Sequence, residues 1–243
     1  MSSPPLARPI KSAIVLGCSA LKIIMKRAKK CLNFDYEEAS WNMEVLHRLL
    51  HGMFRQPKSA VPEPFDFMLW YVRLGKRWLI YAFLMTPVSM SERFARSTIT
   101  QTVNHTEYSA LQLSPIVLSI ETKRPGKDLD VAQKFLRSAV EVVARSRQPE
   151  GASEEAIADA VEGLLTELGF LPGVIIQGHH WYFDGTNVTA HRTILWTEQE
   201  FGSTQSMLKM YQIVAGLRRL SKWAQDVYVP WYRKHVLGGR TLN

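Results

Sequence analysis

An acidic residue and a lysine stand one residue apart at the end of an apolar run, in the segment PIVLSIETKRP (115–125). The run is rich in β-branched residues and stops at Pro125, which predicts a strand over 115–123. Successive strand side chains point to opposite faces, so Glu121 and Lys123 are expected to project together. The two residues could form a surface ion pair. They could equally be a metal ligand beside a catalytic lysine.

The chemistry that such a pair could perform is metal-dependent cleavage of a phosphodiester bond. This reaction needs oxygen ligands for a hard cation such as Mg²⁺ and a group that aims the attacking water. A lysine beside a carboxylate can orient this water and offset the charge that develops on the phosphate. Asp66, inside the apolar run PFDFMLW, is a candidate for a second carboxylate, because an aspartate in a buried strand needs a partner.

The composition favours one folded unit with an anionic partner. The chain has 243 residues, of which 46% are hydrophobic, enough for one core. Its 30 Lys and Arg against 22 Asp and Glu give a formal charge of +8. This charge favours nucleic acid over a membrane surface, although a merely basic protein fits equally well. Cys18 and Cys31 are too few for a disulfide framework or a zinc set, which suits a reducing, intracellular compartment.

Two segments resemble membrane or targeting signals. Residues 65–85 have the length of a membrane span, but the four charged side chains inside them would be costly in lipid. Two strands around a charged turn are therefore expected there, and no membrane partner. The apolar run at 13–20 resembles the core of a signal peptide, but Lys22 follows it almost at once and no convincing cleavage site is present. An intracellular protein is therefore expected. The basic stretch KRAKK (26–30) fits a nuclear address, a phosphate contact or a solvated helix face.

The periodicity of apolar residues predicts helices around a small sheet, which is an α/β fold. Helical patterns cover 11–32, 36–54, 128–145, 154–168 and a final helix from Ser203 to about Trp223. Strand patterns cover 65–72, 78–85, 115–123, GVIIQGHHWYFDG (173–185) and TAHRTILW (189–196), the last two forming a hairpin. Ser153 is the expected N-cap of the fourth helix and Gly169 its end.

Four blocks of sequence, in order, resemble the nuclease-like domain of fungal proteins within the PD-(D/E)XK nuclease superfamily. They are EEASWNMEVLHRLL, VNHTEYSALQLSPIVLSIETKRPG, LPGVIIQGHHWYF and FGSTQSMLKMYQIVAGLRRLSKWA. The resemblance implies a restriction-endonuclease-like core of helix, three strands, helix and strand. It divides the chain into a basic leader with a helix at 1–32 and a nuclease-like domain at 33–243.

The resemblance also implies site residues. Glu38 matches the helix acid, and Asp66 the metal-binding aspartate. Glu121 matches the second metal carboxylate, with Lys123 as the catalytic lysine and Gln133 as a glutamine that contacts the site. Other interpretations stay open. Glu38 could simply stabilise the N-terminus of its helix, Asp66 could lie at a strand edge, and Gln133 could be a solvated helix residue.

The implied cofactor is Mg²⁺, or Mn²⁺, and the implied substrate is DNA. Arg124 and Lys127 are expected to contact its phosphates. His179 lies in a Gly-His-x-Trp block without spaced metal-ligand partners, so a hydrogen-bonded strand histidine is favoured over a zinc ligand.

Three functions are compatible with these residues. The first is a Mg²⁺-dependent nuclease that acts on DNA. The second is a nuclease-fold protein without catalysis that binds nucleic acid or a protein. It is favoured by the few residues between LHRLLHGMFRQP and Asp66, where similar proteins carry a longer segment with another strand. The third is a metal-dependent hydrolase of another phosphate ester.

Overall fold

A mixed β-sheet forms the centre of the protein. The computed structural model describes residues 16–55, 65–74, 76–85, 113–123, 151–189 and 192–237. Its strands there are β1 (Phe65–Leu74), β2 (Lys76–Met85), β3 (Ile116–Lys123), β4 (Leu171–Gln177), β5 (His180–Thr189) and β6 (Arg192–Ser203). The six strands are ordered in space as in the chain, and only β3 and β4 pair in parallel. The predicted α/β fold with a small mixed sheet is confirmed.

Helices precede and follow the sheet in the chain. The N-terminal ones are α1 (Cys18–Asn33), α2 (Glu38–Trp41), a π-helical turn (Asn42–Leu46) and α3 (His47–Phe54). Between β3 and β4 the chain forms α4 (Glu154–Leu168). The C-terminal ones are α5 (Met207–Trp223), a π-helical turn (Ala224–Tyr228), α6 (Val229–Tyr232) and a π-helical turn (Arg233–Leu237). None of the helices described is both long and apolar enough to cross a membrane.

One apolar core joins α1 and α3 to the sheet and to α5. Its buried members include Leu21, Ile24, Leu46, Leu49, Leu50, Phe67, Ile120, Val174, Ile176, Ile213 and Leu217. The predicted apolar stripe of 36–54 is confirmed by the burial of Leu46, Leu49 and Leu50. The division of the chain between residues 32 and 33 stays a prediction, and α1 packs into this same core.

The local signals at the ends of α4 are confirmed. The Ser153 side chain accepts a hydrogen bond from the Ala156 amide at 3.2 Å, which satisfies one of the free donors of the first turn. Gly169 follows the helix with a φ of 89°, a backbone conformation that favours glycine. The predicted helix over 128–145 lies outside the described residues, as do the first residues of the helix predicted over 11–32.

Two predicted boundaries are wrong. The segment 173–185 is not one strand, because a turn at Gly178, with a φ of 58°, separates β4 from β5. The glycine's tolerance of positive φ permits this turn between two runs that both have strand-like patterns. The final helix begins at Met207 with Ser206 as its cap, because β6 continues to Ser203.

Gly202, near the end of β6, lies against the backbone of α5. A Cβ at this position would lie 2.5 Å from Cγ1 of Ile213 and 2.8 Å from both its amide nitrogen and the Lys209 carbonyl oxygen. Two of these atoms belong to the helix backbone, so the helix itself would need to move. Only glycine permits this approach of sheet and helix.

Gly202→Ala should therefore lower the free energy of unfolding, by about 1–3 kcal/mol as for other overpacked sites. Gly163→Ala is the matched control, because Gly163 lies within α4 with open space around the added methyl group. That variant should gain roughly 0.5–1 kcal/mol. Chemical denaturation of both variants measures the difference, and equal stability of Gly202→Ala and wild type would contradict the close packing.

Candidate functional site

Glu121 lies fully buried in β3, in the middle of the sheet. Its exposed fraction is 0%, and its backbone pairs with Ile80 of β2 and Ile175 of β4. The neighbouring residues Leu118 and Ile120 are also buried, as expected for a strand in a parallel pair. A carboxylate in such surroundings needs hydrogen-bond donors or a cation. Glu121 is therefore the strongest candidate for a functional acid in the part of the chain that the structure describes.

Thr122 connects β3 to the N-terminal helices. Its hydroxyl donates a hydrogen bond to Oε1 of Glu38 and accepts one from Nδ2 of Asn42, each at 2.9 Å. Asn42 is fully buried and opens the π-helical turn. Such turns are rare and are frequent at functional sites. The Thr122 hydroxyl thus fixes the start of this helical unit against the end of the strand.

Glu38 and Glu121 lie on different faces of the sheet. Thr122 contacts Glu38 through its side chain, and consecutive residues of a strand point to opposite faces. The side chain of Glu121 therefore points away from the helical unit that carries Glu38. The structure places Glu38 next to the Glu-Thr-Lys segment, but on the opposite face of β3 from Glu121.

Asp66 lies far along the sheet from Glu121. Across β2, the β1 residue level with Glu121 is Trp70, because both pair with Ile80. Asp66 precedes Trp70 by four residues, which at about 3.3 Å per residue places it ~13 Å farther along the strand. The structure does not bring these two carboxylates together.

Arg55, the residue that follows α3, engages Asp66. Nε and Nη2 of Arg55 donate to its two carboxylate oxygens at 2.7 and 3.0 Å. The same guanidinium donates to the Phe67 carbonyl oxygen at 2.7 Å and lies 4.4 Å from the centre of its ring. The Asp66 side chain is 52% exposed, so this aspartate forms a surface ion pair at a strand edge, one of the readings that the sequence leaves open.

The remaining predicted site residues follow Glu121 in the chain. Lys123 is the last residue of β3, and its backbone pairs with Gln177 of β4. Gln133, Arg124 and Lys127 lie outside the described residues. Their predicted roles in catalysis and phosphate binding stay predictions.

His179 occupies the turn between β4 and β5 and is buried. Its Nδ1 lies 2.5 Å from the Thr204 hydroxyl, and its ring meets Trp41 edge to face at 5.3 Å. Burial lowers the pKa of this imidazole, and the nearby charges of His180 and Lys29 act in the same direction. The predicted hydrogen bonding of His179 is confirmed, but its predicted place in a strand is wrong, because the turn at 178–179 separates β4 from β5.

The described residues supply part of a cation site. Carboxylate oxygens are the ligands that Mg²⁺ prefers, and Glu121 offers two of them in a buried position, so this residue fits such an ion. Asp66 does not fit the same ion, because Arg55 engages both of its oxygens elsewhere on the sheet. Within the described ranges, no three His, Cys, Asp or Glu side chains converge as a metal site.

Sequence reasoning missed Thr122 and Asn42. Two signals could have identified them. Asn42 follows Glu38 by four residues, so both lie on one helix face, and Thr122 lies between the two motif residues on the other strand face. What the sequence does not contain is the contact between them, which joins residues 80 positions apart.

The comparisons with known proteins give one match. A family model described as the PD-(D/E)XK nuclease superfamily matches residues 11–229. No curated protein and no solved structure matches the chain significantly. The matched range contains α1 to α5 and all six described strands, including the segment with Glu121, Thr122 and Lys123.

Thr122→Val should destabilise the protein by about 1–3 kcal/mol, because it removes the hydroxyl that accepts from the buried Asn42 amide. Thr122→Ser keeps the hydroxyl and should recover most of the loss. Thr166→Val, at an exposed position of α4, is the control for the substitution itself. Urea denaturation compares the three, and a Thr122→Val variant as stable as wild type would show that this contact does not hold the helical unit.

Proposed function

Since this chain belongs to the PD-(D/E)XK nuclease superfamily, we propose that it is a Mg²⁺-dependent nuclease that hydrolyses phosphodiester bonds in DNA. Nucleases of this superfamily generally use divalent metals such as Mg²⁺. The observation that carries the proposal is the burial of Glu121 in β3, within the Glu-Thr-Lys sequence of the strand. Burial of a carboxylate costs free energy unless hydrogen-bond donors or a cation compensate it, and a divalent cation is the partner that phosphodiester cleavage needs.

The proposed roles follow from the chemistry of the side chains. Glu121 holds the cation, which supplies Lewis acidity at the phosphate when bound. Lys123 orients the attacking water and offsets negative charge as the bond breaks. Gln133, which follows β3 in the sequence, contacts the site in this proposal. Glu38 and Asp66 are proposed as further cation ligands from the family resemblance alone. The geometry favours Glu121 over both.

A second candidate is a nuclease-fold protein that binds nucleic acid or a protein without cleaving it. The observation that favours it is the ion pair of Asp66 with Arg55, which leaves the expected second carboxylate ~13 Å along the strand from Glu121. A cation held by one protein carboxylate would depend on water and substrate phosphates for its other ligands.

Cleavage of plasmid and oligonucleotide DNA in Mg²⁺, Mn²⁺ or EDTA separates the two candidates. Wild type should cut only with a divalent cation. Glu121→Gln and Lys123→Ala should lower the rate by roughly 10²–10³-fold, because each removes charge that acts in the transition state. Glu155→Gln, which changes an exposed acid in the first turn of α4, should leave the rate unchanged.

Thermal melts of every variant provide the folding control. Asp66→Asn measures the role of that aspartate directly, since a loss as large as that of Glu121→Gln would mean that it joins the site. A wild type that binds DNA but cuts it with no divalent cation would overturn the nuclease proposal in favour of the second candidate.

Arg124 and Lys127 are proposed to bind DNA phosphates. Affinity should fall steeply with added salt, because each phosphate contact releases counterions. Replacing both residues by alanine should weaken binding similarly for unrelated sequences and reduce the salt slope by about 2. Lys222→Ala is the control, because this lysine forms an ion pair with Asp226 in the C-terminal helices. Fluorescence anisotropy in EDTA measures the affinities, and salt-insensitive binding would contradict the proposal.

A further inference from the structure

The positive charge of the chain is concentrated at its N-terminal end. The first 34 residues contain seven Lys and Arg and no Asp or Glu, so they carry +7 of the formal charge of +8. The rest of the chain is almost balanced, with 23 basic residues against 22 acidic ones. Such an asymmetry indicates an anionic partner at this end more strongly than the total charge does.

Four of these charges form a row along α1. Lys22, Lys26, Lys29 and Lys30 are all exposed on the solvent side of the helix, and they are called the lysine row below. Lys22 and Lys30 are about 12 Å apart along the helix axis, at 1.5 Å per residue. Like charges at this spacing repel one another on a helix, so a polyanion that neutralises them relieves a destabilising interaction.

The ion pairs of the N-terminal helices leave the lysine row out. Arg27, the other basic residue of α1, pairs with Glu44 of the π-helical turn, and Glu44 also meets Arg48 at 3.5 Å. The sequence of α1 contains no acid, and none of the four lysines forms an ion pair within the described part of the chain. The charge of Arg27 is therefore compensated inside the fold, whereas no described acid compensates the lysine row.

The lysine row is fixed in place by the opposite side of α1. That side is buried in the apolar core through Leu21, Ile24, Ala28 and Cys31. The last turn of the helix lies near the ends of β3 and β4, because Cys31 lines the same cavity of about 270 Å³ as Thr122 and Gly178. The pKa of His179, in the turn after β4, is lowered by burial and also by the charge of Lys29. The row therefore runs toward the end of β3 that carries Glu-Thr-Lys.

Double-stranded DNA is the polyanion that suits this row. A helix that enters a membrane surface needs an apolar face, but α1 buries its apolar face and exposes only Ile23 among the lysines. Proteins that bind single strands add aromatic side chains for the bases, and no aromatic residue occurs between Lys22 and Lys30. A rigid duplex carries a phosphate charge about every 1.7 Å of its axis, so a fixed row of lysines can meet several phosphates at once.

We infer that the lysine row binds the phosphate backbone of double-stranded DNA and holds it beside the end of the sheet where Glu121 and Lys123 lie. The inference deepens the proposed function and rests on it for DNA as the partner, but the row is separate from Arg124 and Lys127. Phosphate contacts carry no base information, so this anchor is independent of sequence.

The first measurement is duplex affinity by fluorescence anisotropy in EDTA. Replacing the four lysines by alanine, a strong helix former, keeps the buried side of α1 intact. This variant should bind roughly 10- to 100-fold more weakly at low salt, and the slope of log affinity against log salt should fall by about 3–4.

A second alanine variant has the same net charge and is the matched control. It replaces four exposed cations of the C-terminal helices, which are Arg219, Lys222, Arg233 and Lys234. It should keep most of the wild-type affinity and salt slope, because it leaves the lysine row in place. Circular dichroism melts show whether both variants are folded.

The second measurement locates the DNA without changing a lysine. Cys18 is exposed and precedes Lys22 by one helical turn, whereas Cys31 is buried, so a thiol-reactive dye labels the start of the row. The emission of an environment-sensitive dye at Cys18 should change as the duplex binds. The same dye on Glu155→Cys in a Cys18→Ser background, in the first turn of α4, should report no change.

Three outcomes would overturn the inference. Equal loss of affinity in the two alanine variants would show that binding follows total charge. An unchanged Cys18 dye at saturating duplex would place the DNA elsewhere. Tighter binding of a single strand, phosphatidylserine vesicles or polyglutamate through the same four lysines would assign the row to another partner. A protein that cleaves with no divalent cation, yet loses duplex binding with the row, would refute the nuclease proposal and support this inference.

Discussion

Glu121 places a carboxylate in a strand where Leu118 and Ile120 are buried, beside the buried Ile175 of β4, and this burial constrains the centre of the protein. Parallel pairing of β3 with β4 needs a long crossover and is typical of a sheet with both faces covered. The penalty for an ion in such surroundings is several kcal/mol unless donors or a cation compensate it.

The two faces of β3 serve different parts of the molecule. On one face, the Thr122 hydroxyl holds Glu38 and Asn42, and with them the start of the helical unit that continues into α3. On the other face lies Glu121, in the sequence that the family resemblance associates with cleavage. Because adjacent strand residues alternate, a shift of β3 by one residue would exchange the two faces. The register of this one strand therefore determines both the position of the proposed cation ligand and the contact with the N-terminal helices.

Local sequence signals predicted the elements well, and non-local pairing explains what they missed. The β-branched run of β3 and the caps Ser153 and Gly169 act within a few residues, so pattern reasoning identified them. The turn at Gly178 was missed because strand-like residues continue on both sides of it. The Thr122–Asn42 contact and the distance of Asp66 from Glu121 depend on register between segments, which hydrophobic periodicity does not report.

The position of Asp66 depends on backbone pairing more than on its ion pair. An exposed pair such as Asp66–Arg55 contributes only about 0–1 kcal/mol, whereas β1 and β2 pair continuously from Phe65 to Leu74. Sliding β1 by four residues would bring Asp66 level with Glu121 on the same face, since the shift is even, but it would unpair four positions of the ladder. Ion-pair rupture alone therefore cannot assemble the two carboxylates. If Glu121 holds a cation, its second protein ligand must come from outside β1 in this register.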